Sequence, residues 1–161
     1  MAGSPKANGK RSSRRSEPVV NVLLLNGPNL NLLGEREPEV YGSATLQQVE
    51  QVFVERAGEL GWAVRAYQSN HEGALIDKLH ELRRWANGVV FNPGAYTHTS
   101  YALRDAIAST RLRVVEVHIS DLSKREAWRQ VSVIAEVCAH RIMGKGIGGY
   151  LEALEWLAAS P

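Results

Sequence analysis

From Val19 onward the chain alternates short apolar runs with amphipathic stretches, and no other feature narrows its fold as much. The run Val19-Val20-Asn21-Val22-Leu23-Leu24-Leu25 stops at Asn26-Gly27-Pro28. An apolar run with no in–out alternation, closed by Gly and Pro, reads as a strand buried on both faces of a parallel sheet. After a long loop rich in Gly, Pro and Asn, residues 45–60 read as a helix. Thr45 and Gln48 form a capping-box pair, Leu46, Val49, Val52, Phe53 and Leu60 supply an apolar face, and Gly61 closes it. The unit recurs: strand 62–67 and helix 72–85, then strand 88–91 and helix 100–109, then strand 113–118. Residues 128–137 read as a helix, 139–143 as a short fifth strand and 149–159 as a final helix. Such repetition predicts an α/β fold, an open five-stranded parallel sheet with helices on both faces.

At 161 residues the chain suffices for one such domain and not for two. Residues 1–18 are set apart by composition: Lys6, Lys10, Arg11, Arg14 and Arg15 stand against Glu17 alone, a net +4. With the whole chain at +2, the remainder is −2 and carries no basic stripe for nucleic acid. The expected organisation is a disordered, solvated basic leader over 1–18 and a single α/β domain over 19–161. No apolar run approaches the roughly 18 residues that cross a bilayer, and the first one lacks the form of a secretory signal. A cytoplasmic protein is expected. Cys138 is the sole cysteine, which rules out an intrachain disulfide and suggests an inert, buried thiol.

Ligands of open parallel sheets bind beyond the carboxyl ends of the strands. The polar residues at those ends are Asn26 and Asn29, Ser69-Asn70-His71, Asn92, and His118 with Ser120. Glu116 and His118 lie two apart on one strand, about 6.6 Å along it and on the same face, so the carboxylate can orient an imidazole acid. Backbone N–H groups and a hydroxyl at Ile119-Ser120-Asp121 suit an anion. The loop from Gly34 to Gly42 is long enough for a lid, and within it Arg36 and Tyr41 pair a cation with a phenol. Asn92-Pro93-Gly94-Ala95-Tyr96-Thr97-His98-Thr99-Ser100 offers an amide, an imidazole and hydroxyls for a polyhydroxy ring, although Thr97 and Thr99 can equally serve as helix caps. Past the leader only Lys78, Lys124 and Lys145 occur, none on a buried strand where an amine is prepared for Schiff-base chemistry. The five histidines show no compact metal-ligand spacing, and the glycine run 144–149 has no Walker pattern.

Five blocks together resemble the type II dehydroquinate dehydratases: Leu25-Asn26-Gly27-Pro28-Asn29-Leu30-Asn31-Leu32-Leu33-Gly34, Tyr41-Gly42, Gln68-Ser69-Asn70-His71-Glu72-Gly73, the segment from Asn92 to Ser100, and Glu116-Val117-His118-Ile119-Ser120. The resemblance covers residues 20–158. It implies a flavodoxin-like fold, a homododecamer built as a tetramer of trimers, and loss of water from 3-dehydroquinate through an enolate without metal or cofactor. It also implies roles. Tyr41 is the base, with Arg36 lowering its pKa and Arg125 a second cation nearby. Asn92 holds a water against the enolate oxygen, and His118, oriented by Glu116, is the acid. Ile119 and Ser120 cradle the substrate carboxylate, His98 and Arg129 meet ring hydroxyls, and Asp105 reaches in from a neighbouring subunit. Two positions depart from the family pattern: Asp121 stands for the usual Asn, and Gln130-Val131-Ser132 for His-His-Ser. Rival readings are a non-catalytic flavodoxin-like module binding an anion or nucleotide, and an enzyme of this fold acting on a related ring.

Overall fold

The apolar runs at 21–26, 88–92 and 114–118 become the central strands because both of their faces are covered. In the computed structural model, which describes residues 20–160, β1 (Asn21–Asn26), β2 (Ala63–Gln68), β3 (Gly88–Asn92), β4 (Val114–His118) and β5 (His140–Met143) form one parallel sheet in the order β2-β1-β3-β4-β5. The helices are α1 (Pro38–Tyr41), α2 (Leu46–Glu59), α3 (Glu72–Leu82), α4 (Tyr101–Thr110) and α5 (Gly148–Ala159). The basic leader, 1–18, lies outside the described residues. Alternate side chains of the central strands enter two cores. Val22, Leu24, Val90, Val115 and Val117 meet Val49 and Phe53 of α2 and Leu154 and Leu157 of α5. On the other face Leu23, Leu25, Val89, Phe91 and Val114 meet Leu75 and Leu79 of α3 and Leu103 and Ile107 of α4. This is the doubly wound, flavodoxin-like arrangement, with its switch in strand order between β1 and β3.

The capping box forms as expected: the Gln48 amide N–H donates to Thr45 Oγ1 at 3.2 Å and Thr45 N–H to Gln48 Oε1 at 2.9 Å. Gly61 follows the helix at φ 75°. Three expectations need correction. Val52 is 42% exposed rather than on the inner face. Helix α3 ends at Leu82, three residues early, where the N–H groups of Trp85 and Ala86 turn back onto the Leu82 carbonyl. Residues 128–137 are not a helix; 3-10 turns at Ala127–Arg129 and Ala135–Val137 flank an irregular stretch. There tertiary hydrogen bonds displace the helical ones: Val133 N–H donates to the Thr97 carbonyl at 2.7 Å, and Arg104 Nη1 donates to the Val133 carbonyl at 3.1 Å.

At the switch point the two strand ends interlock. Asn26 and Asn92 are partners in the β1–β3 register, and Gly27 N–H donates to the Asn92 carbonyl at 2.7 Å. A Cβ on Gly27 would stand 2.4 Å from the Pro93 oxygen, a backbone atom with nowhere to move. Gly27→Ala is therefore expected to cost about 1–3 kcal/mol, read as a lowered urea midpoint; an unchanged midpoint would contradict this packing.

Candidate active site

The carboxyl ends of β1, β3 and β4 open into one cleft, to which the loop after β1 adds a wall. Helix α1 begins with Pro38, whose fixed φ suits a first helical position, and is closed by Gly42 at φ 80°. This single turn ends on Tyr41, whose side chain lines the cleft. After β4, Asp121 caps a 3-10 turn over Leu122–Lys124, and the chain emerges at Arg125. Arg125 Nη1 donates to the Tyr41 hydroxyl oxygen at 3.2 Å and to Ser120 Oγ at 3.1 Å. The bond to Tyr41 raises the Arg125 pKa above its ordinary value, against the opposing effect of burial. Arg36 approaches differently: its guanidinium carbon is 5.3 Å from the Tyr41 ring centroid, while its Nε pairs with Glu37 at 3.6 Å. The cation bonded to the phenolic oxygen is thus Arg125, which sequence reasoning ranked second, and Arg36 covers the ring.

Glu116 and His118 are both buried, and His118 Nε2 lies 2.6 Å from Glu116 Oε1. A carboxylate only accepts, so Nε2 carries the proton in this bond. Ser132 Oγ donates to Glu116 at 2.8 Å, and the Thr97 hydroxyl donates to the same carboxylate. Burial by itself would raise the Glu116 pKa; the His118 hydrogen bond and charge and the two hydroxyls outweigh it and hold the carboxyl below its ordinary range. His118 first, with Thr97 and Ser132 beside it, keeps Glu116 ionised. The sequence offers Thr97 as a ring-recognising hydroxyl or a helix cap; the structure turns it onto Glu116 instead, and the cap is Ser100, which accepts from Leu103 N–H at 2.9 Å. Ser132→Ala is expected to lower kcat about tenfold while costing only about 1 kcal/mol of stability; a variant with wild-type kcat across the pH range would show the hydroxyl to be dispensable.

His98 sits beside the irregular stretch, with Nδ1 2.7 Å from the Val131 carbonyl and its ring edge-on to Trp128. Burial lowers its pKa, which favours the neutral ring, with Nδ1–H donating and Nε2 left as an acceptor. Arg129 lies over the Trp128 ring at 4.1 Å, with Nε 2.9 Å from Glu126 Oε2; that ion pair lacks the direction of a hydrogen bond, and Nε has no other partner. His98, Arg129, Ile119, Ser120 and Asn92 all line the cleft. Glu116 stands behind it. Asp105 is exposed on α4 and lines no part of it. Asp121 is turned away: its carboxylate accepts from Ser123 N–H at 3.0 Å and Ser123 Oγ at 2.6 Å, bonds that hold its pKa below the ordinary value. It is also absent from the cleft walls, so its charge does not face a bound anion there.

Other polar ends serve the scaffold. Asn70 Oδ1 accepts from Asn29 N–H at 2.9 Å and so pins the loop after β1. In the glycine run, Gly144 N–H donates to the Ser120 carbonyl at 3.1 Å, a structural turn. Burial pushes the Cys138 thiol up to about 12, as befits an inert residue. Sequence reasoning missed Tyr150, whose buried hydroxyl meets both Asn92 and Asn26. It sits in an apolar helix with no polar pattern to announce it.

A flavodoxin-order sheet with a guanidinium-bound phenol and a carboxylate-backed imidazole at its switch point defines an α/β enzyme site. The family model "Dehydroquinase class II" matches residues 20–158. A Bacillus pumilus 3-dehydroquinate dehydratase is 56% identical over 139 residues, covering 86% of this chain and 95% of that protein. An Anoxybacillus flavithermus 3-dehydroquinate dehydratase is 54% identical over 136 residues, 84% of this chain and 92% of its own length. The crystal structure of type II dehydroquinase from Butyrivibrio crossotus superposes with a TM-score of 0.86 at 44% identity, covering 87% of this chain and 98% of that one. The chain belongs to the class II dehydroquinase family.

Proposed function

We propose that this chain eliminates water from 3-dehydroquinate, the dehydration for which its relatives are named, and that it does so through an enolate to give 3-dehydroshikimate. The observation that supports the mechanism is the pairing, around one cleft, of a phenol bonded to Arg125 and an imidazole backed by Glu116. Loss of the Tyr41 proton leaves a phenolate that Arg125 can hold by a charge-assisted bond and that can take the proton from the carbon beside the ketone. The electron pair moves onto the ketone oxygen, where the Asn92 amide, directly or through a water, supports the enolate. As the enolate collapses, His118 in its doubly protonated form keeps Nε2–H on Glu116 and gives the Nδ1 proton to the departing hydroxyl; the products are the enone and water, and the proton taken up by Tyr41 returns to His118 through solvent to reset the site. Ser120 and the Ile119 backbone suit the substrate carboxylate, while Arg129 and the free Nε2 of His98 suit ring hydroxyls.

The test is ultraviolet detection of the conjugated enone after mixing purified protein with 3-dehydroquinate, with and without borohydride. Turnover that ignores borohydride supports direct elimination; turnover that borohydride abolishes would indicate a Schiff base. A flat trace from folded protein would leave the non-catalytic anion-binding reading.

The same reading extends to context. The reaction serves the shikimate pathway toward aromatic amino acids or the breakdown of quinate, in the cytoplasm; no helix among the described residues is long and apolar enough to cross a membrane. The chain forms a dodecamer, a tetramer of trimers, in which Asp105 enters a neighbour's cleft. Light scattering should then return twelve times the monomer mass of 17.8 kDa, and a monomer with full activity would refute the shared site. Residues 19–161 act as the catalytic domain, so deletion of 1–18 leaves turnover unchanged.

A further inference from the structure

Tyr150 of α5 is 1% exposed and packs in the core below the switch point. A phenylalanine would fill that space without a polar atom to satisfy, so the hydroxyl calls for an explanation. It accepts from Asn92 Nδ2 at 2.9 Å and donates to Asn26 Oδ1 at 2.7 Å. Asn92 Oδ1 in turn accepts from Gly94 N–H at 3.1 Å. The polarity of this chain is forced. A backbone N–H only donates, so Oδ1 of Asn92 faces Gly94 and Nδ2 faces the phenol; the phenol, having accepted there, gives its one proton to Asn26. Burial raises the Tyr150 pKa, which keeps it a neutral donor. One Asn92 N–H is thereby committed to Tyr150, and the other remains for the cleft that Asn92 lines.

We propose that Tyr150 is a positioning residue for the reaction, locking the Asn92 amide so that an N–H, and not the carbonyl, is presented to the oxygen that gains charge as the enolate forms. The inference rests on the role given to Asn92 above. A single bond from Gly94 would leave the amide free to rock about its terminal torsion. The second bond, from α5 on the same face of the sheet, removes that freedom before substrate arrives, which is how an electrostatic site avoids reorganising during the reaction.

The test is Tyr150→Phe, which deletes one oxygen. It is expected to lower kcat about tenfold, less than the 100- to 1000-fold typical of deleting an oxyanion donor outright, with KM within about twofold. With substrate deuterated at the carbon that loses its proton, the isotope effect on kcat should grow, because the enolate-forming step becomes slower. Leu154→Ala on the same helix serves as the control: it lowers thermal stability but changes neither kcat nor the isotope effect. Tyr150→Phe added to Asn92→Ala should cost nothing further, since Tyr150 acts through Asn92. If Tyr150→Phe does not fold, Asn26→Ala removes the acceptor of the phenol proton instead and should lower kcat in the same way. A readout free of turnover is the side-chain amide resonances of 15N-asparagine-labelled protein, where the Asn92 pair should move in Tyr150→Phe. A folded variant with wild-type kcat and isotope effect, additive losses, or unmoved Asn92 resonances overturns the proposal. An inactive wild type whose Asn92 resonances still move in the variant would instead overturn the assigned reaction while leaving the amide lock in place.

Discussion

Tyr41→Phe should abolish nearly all turnover of 3-dehydroquinate, with kcat falling about 100- to 10 000-fold, the span usual for a positioned proton acceptor. The substitution keeps the ring, and with it the packing against Arg36 at 5.3 Å and Arg125 at 5.7 Å. Arg125 retains its bond to Ser120 at 3.1 Å, so the guanidinium stays in the cleft. What is lost is the oxygen that takes the proton, an interaction of the transition state more than of substrate binding; KM should therefore move little. Each tenfold of rate corresponds to about 1.4 kcal/mol of barrier. Arg125→Met should give a smaller loss of kcat, since it leaves the base in place but takes away its bonded cation. Tyr41→Phe with more than a tenth of wild-type kcat would place the base elsewhere.

Glu116→Gln should be the most costly change beneath the cleft. The carboxylate accepts from His118, Ser132 and Thr97. An amide of the same shape keeps one acceptor for the three donors that meet Oε1, but without the negative charge that faces His118, and its N–H replaces the oxygen that Ser132 also reaches. Breaking a buried pair from one side costs roughly 3–5 kcal/mol; because His118 can become neutral, we place the loss near the lower figure. kcat should fall about 100-fold, since the imidazole loses the carboxylate that orients it. The pH dependence has a definite sign. The folded-state pKa of Glu116 is depressed, so its contribution to stability is complete above the unfolded value of about 4.3 and is lost as the pH falls through the lower folded value. Chemical denaturation across that acid range should show the wild type losing stability and the variant converging on it. Parallel curves would mean that Glu116 is not held ionised by these partners.

Much of the site was legible because it lies at strand ends. In a parallel sheet every strand leaves on the same edge, so Asn26, Asn92 and His118 had to gather wherever the apolar runs stopped. The two-residue spacing of Glu116 and His118 likewise settles on one strand face without tertiary information. Less legible was anything joined across distance in the chain. The contact between Tyr41 and Arg125 spans 84 positions, and Arg36, five residues from Tyr41, was the natural guess until the guanidinium of Arg125 proved to hold the oxygen. The segment 128–137 carried helical periodicity, yet its N–H and carbonyl groups found partners on Thr97 and Arg104, and Ser132 was drawn onto Glu116. Local propensity yields to such partners because a buried backbone group left unpaired costs more than a helical turn contributes.

By itself the sequence determined the layered α/β architecture, since continuous apolar runs between amphipathic helices can be buried in only a few ways, and it determined which edge of the sheet carries the polar residues. Only the tertiary structure decided which cation meets the phenol, that Asp121 turns to Ser123 and away from the cleft, and that Tyr150 reaches the amide of Asn92 across 58 positions of chain. The physical reason is range. Periodicity and capping act over a few residues, whereas hydrogen-bond partners are settled by whichever groups close packing brings within 3 Å or so once the strands are in register.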